Sequence, residues 1–278
     1  MLNWVLVDEI IKNGIKEDMN NIDITTDNLI DDKSRSTAHL LAKEEGIIAG
    51  LCIAERVFKI LDKDVKVKFH AKDGDKVEKG KIIATIEGST KAILKGERLA
   101  LNLLQRMSGI ATASGKYRDV VKSFPVRITD TRKTTPGLRI LEKYAVRVGG
   151  CFNHRYNLSE AVLIKDNHIM AAGGIKEAIH KIKNNVSHTI KVEVEVKSIK
   201  ELKEAIEAGA DIVMLDNMSL EDMKKAVEIS KGRVILEASG GITIDELVEV
   251  AKTGVDVISV GSLTHSVKAM DISLNIID

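Results

Sequence analysis

Four apolar segments in the last third of the chain, KVEVEV, DIVMLD, VILEASGG and VDVISVGS, each run into a polar or small residue and recur at a nearly constant interval. Glu195, Asp216 and Glu237 are 21 residues apart, and Gly261 follows 24 later. Amphipathic stretches with helical spacing fill the intervals, at 199–208, 220–230 and 244–253. Short apolar runs alternating with single helices constrain a chain to stacked βα units on a parallel sheet. In such sheets and barrels, functional side chains gather at the C-terminal ends of the strands.

Further strands are expected at 126–129, 144–148 and 161–164, about seven in all. The stretch 125–262 is much shorter than the roughly 250 residues of eight full units. The expectation is therefore an α/β protein with an incomplete, about seven-stranded α/β barrel. The first hundred residues read differently, with an early helix, alternation at 65–69, and an apolar run at 81–86 after KDGDKVEKG. Helical spacing covers 97–124, with Gly109 and Gly115 as expected points of division into two helices. This gives an N-terminal α+β sandwich domain at 1–110, with the tail 265–278 packing on it, and a barrel domain at 111–264.

Forty-two basic against forty-one acidic residues leave a net charge of +1, which steers the chain toward neither nucleic acid nor an anionic membrane. Cys52 and Cys151 stand in no metal-ligand spacing and fit free thiols in a reducing compartment. Asp8 and Glu9 interrupt the apolar residues of the N-terminus, so no signal peptide is expected. The most apolar run, 46–54, has nine residues, far short of the roughly 20 of a bilayer crossing. A cytoplasmic protein without membrane partners is expected.

Against this neutral background, residues 128–169 concentrate Arg132, Lys133, Arg139, Lys143, Arg147, His154, Arg155 and Lys165. Arg matches carboxylate and phosphate oxygens in pairs and Lys adds a compact charge, so the mixture suits a small polyanion. Lys143 and Arg147 read as solvated helix faces. Arg132, Lys133, Arg155 and Lys165 lie at expected strand ends or beside turn residues, and Thr131 shares the turn after VRIT. His154 fits a structural role as well as a site role. Glu195 and Asp216 end their strands, where carboxylates suit Mg2+, ribose hydroxyls or developing positive charge. Glu193 shares a strand face with Glu195 one pleat deeper, as a supporting or contacting group. The turns Ser239, Gly240, Gly241 and Val260, Gly261, Ser262 are expected to open toward helices, where backbone N–H groups cradle a phosphate.

Taken together, DITT at 23–26, GERLALNLLQRMSGIAT at 96–112, DTRKTTPGLR at 130–139, KYAVRVGG, NHR, LIKDNH, VEVEV, MLDN, EASGGI and VGSLTHS make the chain resemble the quinolinate phosphoribosyltransferase family almost end to end. The resemblance implies reaction of quinolinate with phosphoribosyl pyrophosphate and Mg2+, giving nicotinate mononucleotide, CO2 and pyrophosphate in NAD biosynthesis. It implies that Arg132, Lys133, His154 and Arg155 read the two carboxylates, with Arg98 reaching in from a partner subunit of a homodimer, which assembles further in a hexamer reading. Lys165 would serve the pyrophosphate or ribosyl phosphate, and Glu195 and Asp216 the ribose hydroxyls, either of them also holding Mg2+. Lys133, Lys165, Glu195 and Asp216 are the residues implied for catalysis.

Three other readings fit the same cations. An aldolase-like barrel would use Lys165 or Lys133 as a Schiff-base amine, which requires a lysine depressed by burial. A relative of the same fold would handle another anion in molybdenum transport. Simple anion capture is least favoured, because acids opposite the cations would weaken it.

Overall fold

A computed structural model describes residues 2–277, so the expected domain ends at 1 and 278 lie outside the described residues. Its contacts divide the chain into two units, Met1–Gly115 with Thr134–Gly150 and Leu263–Asp278, and Lys116–Lys133 with Cys151–Ser262.

The first unit begins with α1 (Trp4–Asp18), whose N-terminus is capped by the Asn3 side chain accepting from the Val5 amide, and α2 (Ile24–Leu29), capped in the same way by Asp23 at the Thr26 amide. Strands β1 (Arg35–Ala42), β2 (Gly46–Ile47), β3 (Lys66–Phe69), β4 (Lys76–Val77) and β5 (Ile82–Ser89) follow, with α3 (Leu51–Leu61) between β2 and β3. An antiparallel sheet runs in the order Ile272–Ile276, β1, β5, β3, while β2 pairs with β4. The last strand of the chain therefore completes the first sheet. α3 buries Ile53, Val57 and Phe58 completely.

α4 (Thr90–Val120) is one helix of 31 residues, not two. Its glycines are places of close approach. A Cβ on Gly109 would meet the Lys268 backbone carbonyl, and one on Gly115 would meet the Ile47 side chain. α5 (Arg139–Val148) corrects the strand expected at 144–148. The segment reads in either period, but burial of Leu141, Ala145 and Val146 follows the helical one. Lys143, expected on a solvated face, is 2 % exposed, because α5 is covered on both sides at Leu141, Glu142 and Lys143.

Residues 134–150, expected in the barrel domain, cluster with the first unit. A buried ion pair supplies the physical tie. Arg106 of α4 donates to Glu142 of α5 at 2.7 Å, to Thr135 Oγ1 at 2.7 Å and to the Thr264 carbonyl at 3.2 Å. The other Glu142 oxygen accepts from the Thr135 amide at 3.1 Å. With Glu142 only 1 % exposed, losing Arg106 would strand a buried charge, a cost of about 3–5 kcal/mol.

In the second unit, β6 (Arg127–Thr129), β7 (Val162–Ile164), β8 (Val192–Val196), β9 (Ile212–Asp216), β10 (Ile235–Ser239) and β11 (Val257–Ser259) form one parallel sheet in the order β6, β11, β10, β9, β8, β7. Phe152 bridges Thr129 on the other edge of β6, in the place of a seventh strand. Read as a ring, every spatial neighbour is also a neighbour in the chain. A doubly wound sheet reverses direction at a switch point, and none occurs here. The unit is an incomplete α/β barrel, with no ladder between Phe152 and β7 among the described residues.

The intervening helices are α6 (Asp166–Ala172), α7 (Ile175–Asn185), α8 (Ile199–Glu207), α9 (Leu220–Ser230), α10 (Leu247–Ala251) and α11 (Ser262–His265). Ser198 and Ser219 cap α8 and α9 through the amides of Glu201 and Asp222. The helix expected at 244–253 is shorter, because its first residues bond in i→i+3 turns, the Glu246 amide to the Thr243 carbonyl at 3.3 Å and the Leu247 amide to the Ile244 carbonyl at 3.4 Å.

Gly109→Ala tests whether close packing or helix propensity rules at that glycine. Propensity alone would favour Ala by about 1 kcal/mol. The Lys268 carbonyl leaves no room for a methyl group, so the expected result is a lower thermal midpoint, with a net loss of about 1–3 kcal/mol as in other overpacked sites.

Candidate active site

Register places Glu195 beside Met214, Met214 beside Glu237, Asp216 beside Ser239, and Ser259 beside Thr129. Residues in register share a face, and alternation adds Glu193 to the same side. The opposite face carries Val192, Val194, Val196, Val213, Leu215, Leu236, Ala238 and Ile258, each at most 1 % exposed. Each such Val, Leu or Ile side chain contributes roughly 1.5–3 kcal/mol by burial against the helices. The apolar core thus lies on one face of the sheet, and polar groups line the other.

The polar face has depth. Glu193 and Glu237 are both 3 % exposed, whereas Glu195, Asp216 and Ser239, two positions further along their strands, are half-buried and Lys165 is exposed. Lys165 Nζ lies 2.7 Å from Glu195 Oε1. His154 Nε2 points to the deeper acids, 3.2 Å from Glu193 Oε2 and 3.5 Å from Glu237 Oε2. Its Nδ1 accepts from the Arg155 amide at 2.8 Å. Burial, and then the charge of Glu193, push the Glu237 carboxyl up to about 7, with His154 opposing them.

The cations are set by the segments on either side of β6. Asp130, fully buried, accepts from the His154 amide at 2.9 Å and from Asn153 Nδ2 at 2.6 Å. Thr131 Oγ1 accepts from the Lys133 amide at 3.0 Å, shaping the turn that carries the half-buried Arg132 and exposed Lys133. Arg155 donates to the Ala161 carbonyl at 2.9 Å. Burial, followed by the charge of Arg132, holds the Arg155 guanidinium below its usual range, while Glu193 and Glu195 act the other way. Arg132 and Arg155 are therefore close enough for each to feel the other's charge.

The basic stretch read as one cluster is split. Arg132, Lys133, His154, Arg155 and Lys165 belong to the barrel unit, while Arg139, Lys143 and Arg147 are on α5 in the first unit. Arg98 is exposed on α4, also in the first unit. Near Asp216, Asn217 adopts φ +53° and donates its side-chain amide to Asp216 Oδ1 at 2.9 Å. Gly240 packs against it at φ +118°, where both the backbone and the Asn217 side chain exclude any Cβ. The turn from Ser239 to Gly241 does not run directly into a helix, since α10 begins at Leu247. Val260 gives its amide to the Thr129 carbonyl, and Ser262 opens the four-residue α11 with its hydroxyl 3.3 Å from Tyr117 Oη.

Asp130 and Glu237 were absent from the residues singled out for the site. Asp130 looked like part of a basic turn, and its burial is a tertiary fact. Glu237 did carry a signal, since it occupies the same place in the 21-residue spacing as Glu195 and Asp216.

Two family models together match nearly the whole chain. "Quinolinate phosphoribosyl transferase, N-terminal domain" covers residues 23–108, and "Quinolinate phosphoribosyl transferase, C-terminal domain" covers 110–275. A probable nicotinate-nucleotide pyrophosphorylase (carboxylating) of Bacillus subtilis is 43% identical over 275 residues, spanning 99% of this chain and 95% of that one. The crystal structure of NadC from Streptococcus pyogenes superposes with a TM-score of 0.95 at 41% identity, over 100% of this chain and 99% of the other. The nicotinate-nucleotide pyrophosphorylase of Francisella tularensis gives 0.95 at 42% identity, over 100% and 98%.

Asp130→Asn keeps the size of the buried side chain but replaces one acceptor oxygen by an NH2 group. One of the two N–H groups now bonded to the carboxylate is then orphaned, which costs about 1–3 kcal/mol. The thermal midpoint should fall, and a midpoint equal to that of the parent would show that the carboxylate does not organise the 153–155 turn.

Proposed function

Because the chain belongs to the quinolinate phosphoribosyltransferase family, we propose that the polar face of its barrel carries quinolinate through phosphoribosyl transfer and decarboxylation. The observation that carries this reading is that Asp130, just past the end of β6, accepts from the His154 amide at 2.9 Å and so ties the turn of Arg132 and Lys133 to the segment of Arg155, in the unit that also carries Lys165. Adjacent carboxylates on one ring are a matching ligand, each charge-assisted hydrogen bond being worth about 1.5–3 kcal/mol.

In this reading Arg132, Lys133 and Arg155 hold the two carboxylates and turn the pyridine nitrogen toward the anomeric carbon of phosphoribosyl pyrophosphate. The nitrogen attacks as pyrophosphate departs, and no enzymic nucleophile is needed. Positioning and charge stabilisation of an oxocarbenium-like state then provide the rate. Lys165 neutralises the departing phosphate oxygens, and Glu195 and Asp216 hold the ribose hydroxyls. Ribosylation makes the ring cationic. That positive charge stabilises the electron pair left on C2 when the carboxylate leaves as CO2, and the pair then takes a proton from solvent to form the C2–H bond of nicotinate mononucleotide.

Glu195 and Asp216 are half-buried carboxylates at neighbouring strand ends, an all-oxygen donor set of the kind that takes Mg2+ together with substrate phosphates. Bound there, Mg2+ would neutralise phosphate charge. Ser239, Gly240, Gly241, Gly261 and Ser262 form the phosphate end, their small side chains leaving backbone close to the ligand, while Val260 anchors the second turn by giving its amide to the Thr129 carbonyl. The substrate end takes its last cation, Arg98, from a second copy of the chain, as the family resemblance implies; the side chain is exposed on α4. No described helix is long and apolar enough to cross a membrane, which is consistent with a cytoplasmic site for this reaction.

Purified protein supplied with quinolinate, phosphoribosyl pyrophosphate and Mg2+ should release CO2 and nicotinate mononucleotide, followed by radiolabelled CO2 release and chromatography; no product above background would end the proposal. Arg98→Ala and Arg132→Ala should each be inactive alone and regain activity when mixed, up to about one quarter of the wild-type value, since random exchange makes half the dimers mixed and each has one intact site. Failure to recover after proven subunit exchange would show that the site is not shared.

A further inference from the structure

The chain leaves the barrel unit directly after Lys133 and again directly after Ser262, at two of the turns that the reading above gives to the carboxylates and the phosphate. One side chain takes hold of both departing segments. Arg106 Nη2 donates to Thr135 Oγ1 at 2.7 Å and to the Thr264 carbonyl at 3.2 Å, so the two acceptors share a single nitrogen. Thr135 lies two residues past Lys133, and Thr264 two past Ser262. At about 3.3–3.6 Å per residue of extended chain, neither turn can move far while its threonine is held. The guanidinium is itself fixed. Its Nε donates to Glu142 Oε1 at 2.7 Å, and the other oxygen of this buried acid accepts the Thr135 amide at 3.1 Å. Within the barrel unit, the strands that lead to the two turns are already neighbours. Ser259 is in register with Thr129, and Val260 gives its amide to the Thr129 carbonyl at 2.9 Å. Arg106 continues, with a side chain, the seam that the ladder begins.

We propose that Arg106 is a positioning residue for phosphoribosyl transfer, which fixes the spacing between the Arg132–Lys133 turn and the Gly261–Ser262 turn by gripping the segments that leave them. The donors that make these bonds are spent on protein atoms, so the effect on substrate is indirect. Each turn binds its own anion without Arg106. The ring nitrogen of one substrate and the anomeric carbon of the other reach reacting distance only while the turns keep their separation, and a misplacement of about 1 Å can cost roughly 10²-fold in rate. The planar fork of an arginine serves three acceptors at once, which the point charge of a lysine does not. This role rests on the assignment of the two turns to quinolinate and to the phosphoribosyl donor.

Two variants separate the grip from the fold. Arg106→Lys keeps a charge opposite Glu142 but loses the fork, and Arg106→Met combined with Glu142→Gln removes both members of the buried pair, so neither leaves a stranded carboxylate. In both, hydrogen–deuterium exchange read by mass spectrometry should be about tenfold faster in segments 131–137 and 262–266, with β8 and β9 unchanged. With quinolinate, phosphoribosyl pyrophosphate and Mg2+, kcat should fall about tenfold while KM for each substrate stays within about twofold. Unchanged exchange in either segment would overturn the grip, whether or not quinolinate proves to be the substrate. An undiminished kcat despite faster exchange, or a rise in KM for one substrate alone, would overturn the positioning role. An inactive parent protein would instead sink the substrate reading, and the exchange result would still decide the grip.

Discussion

The two-residue alternation of the parallel strands is the constraint from which the rest of the barrel unit follows. One face of β8, β9 and β10 is aliphatic and fully covered by helices, so stability is supplied there. The other face is left to polar groups that contribute little to folding and cost energy to bury. Glu193 and Glu237 illustrate the cost. A carboxylate in an apolar interior is tolerated only when paired or protonated, and the upward displacement of the Glu237 carboxyl shows the unfavourable side of that balance. A single-residue slip of β8 would turn Glu193 and Glu195 into the apolar layer and expose three valines, so register and site are specified by the same pattern.

The strands and three helices of the barrel were legible because period and spacing are local properties. Six of the seven expected strands form the ladder and the seventh, at 144–148, is α5, while α8 and α9 fall where the amphipathic stretches placed them. What failed was what depends on neighbours distant in sequence. KYAVRV carries β-branched residues that read as a strand, and only the cover over both sides of α5 makes it a helix with Lys143 inside. Gly109 reads as a break until Lys268 is known to lie against it. In the site, the residue types and strand ends could be read in advance. The deep acids and Asp130 could not, because burial decides their role and a linear pattern does not record it.

The basic stretch is one continuous segment in sequence but leaves the barrel unit after Lys133 and re-enters it at Cys151. The two ends of that excursion meet as strand neighbours. Asp130 donates its amide to the Phe152 carbonyl at 3.1 Å, and Phe152 donates to Ile128 at 2.8 Å. Closing a loop of this length costs only slightly more than closing a shorter one, since the penalty grows logarithmically. The closure brings Arg132 and Arg155 into electrostatic contact although they are 23 positions apart. The Arg127 guanidinium over the Phe152 ring, 5.3 Å from its centroid, adds a further tie at the same seam.

The two kinds of ion pair on the polar face differ in how easily they open, and that difference suits a site that must exchange water for anions. Lys165 meets Glu195 with 47% of its own side chain exposed, so the pair is screened and contributes about 0–1 kcal/mol. Lys165 can therefore leave Glu195 at little cost, which frees the Glu195 carboxylate at its strand end. His154 has no such freedom: its side chain is 13% exposed against acids at 4%, and moving it would leave two buried carboxyl groups without the ring nitrogen they share. Mobility is thus confined to the mouth, while the layer beneath is held by groups whose separation would be too costly.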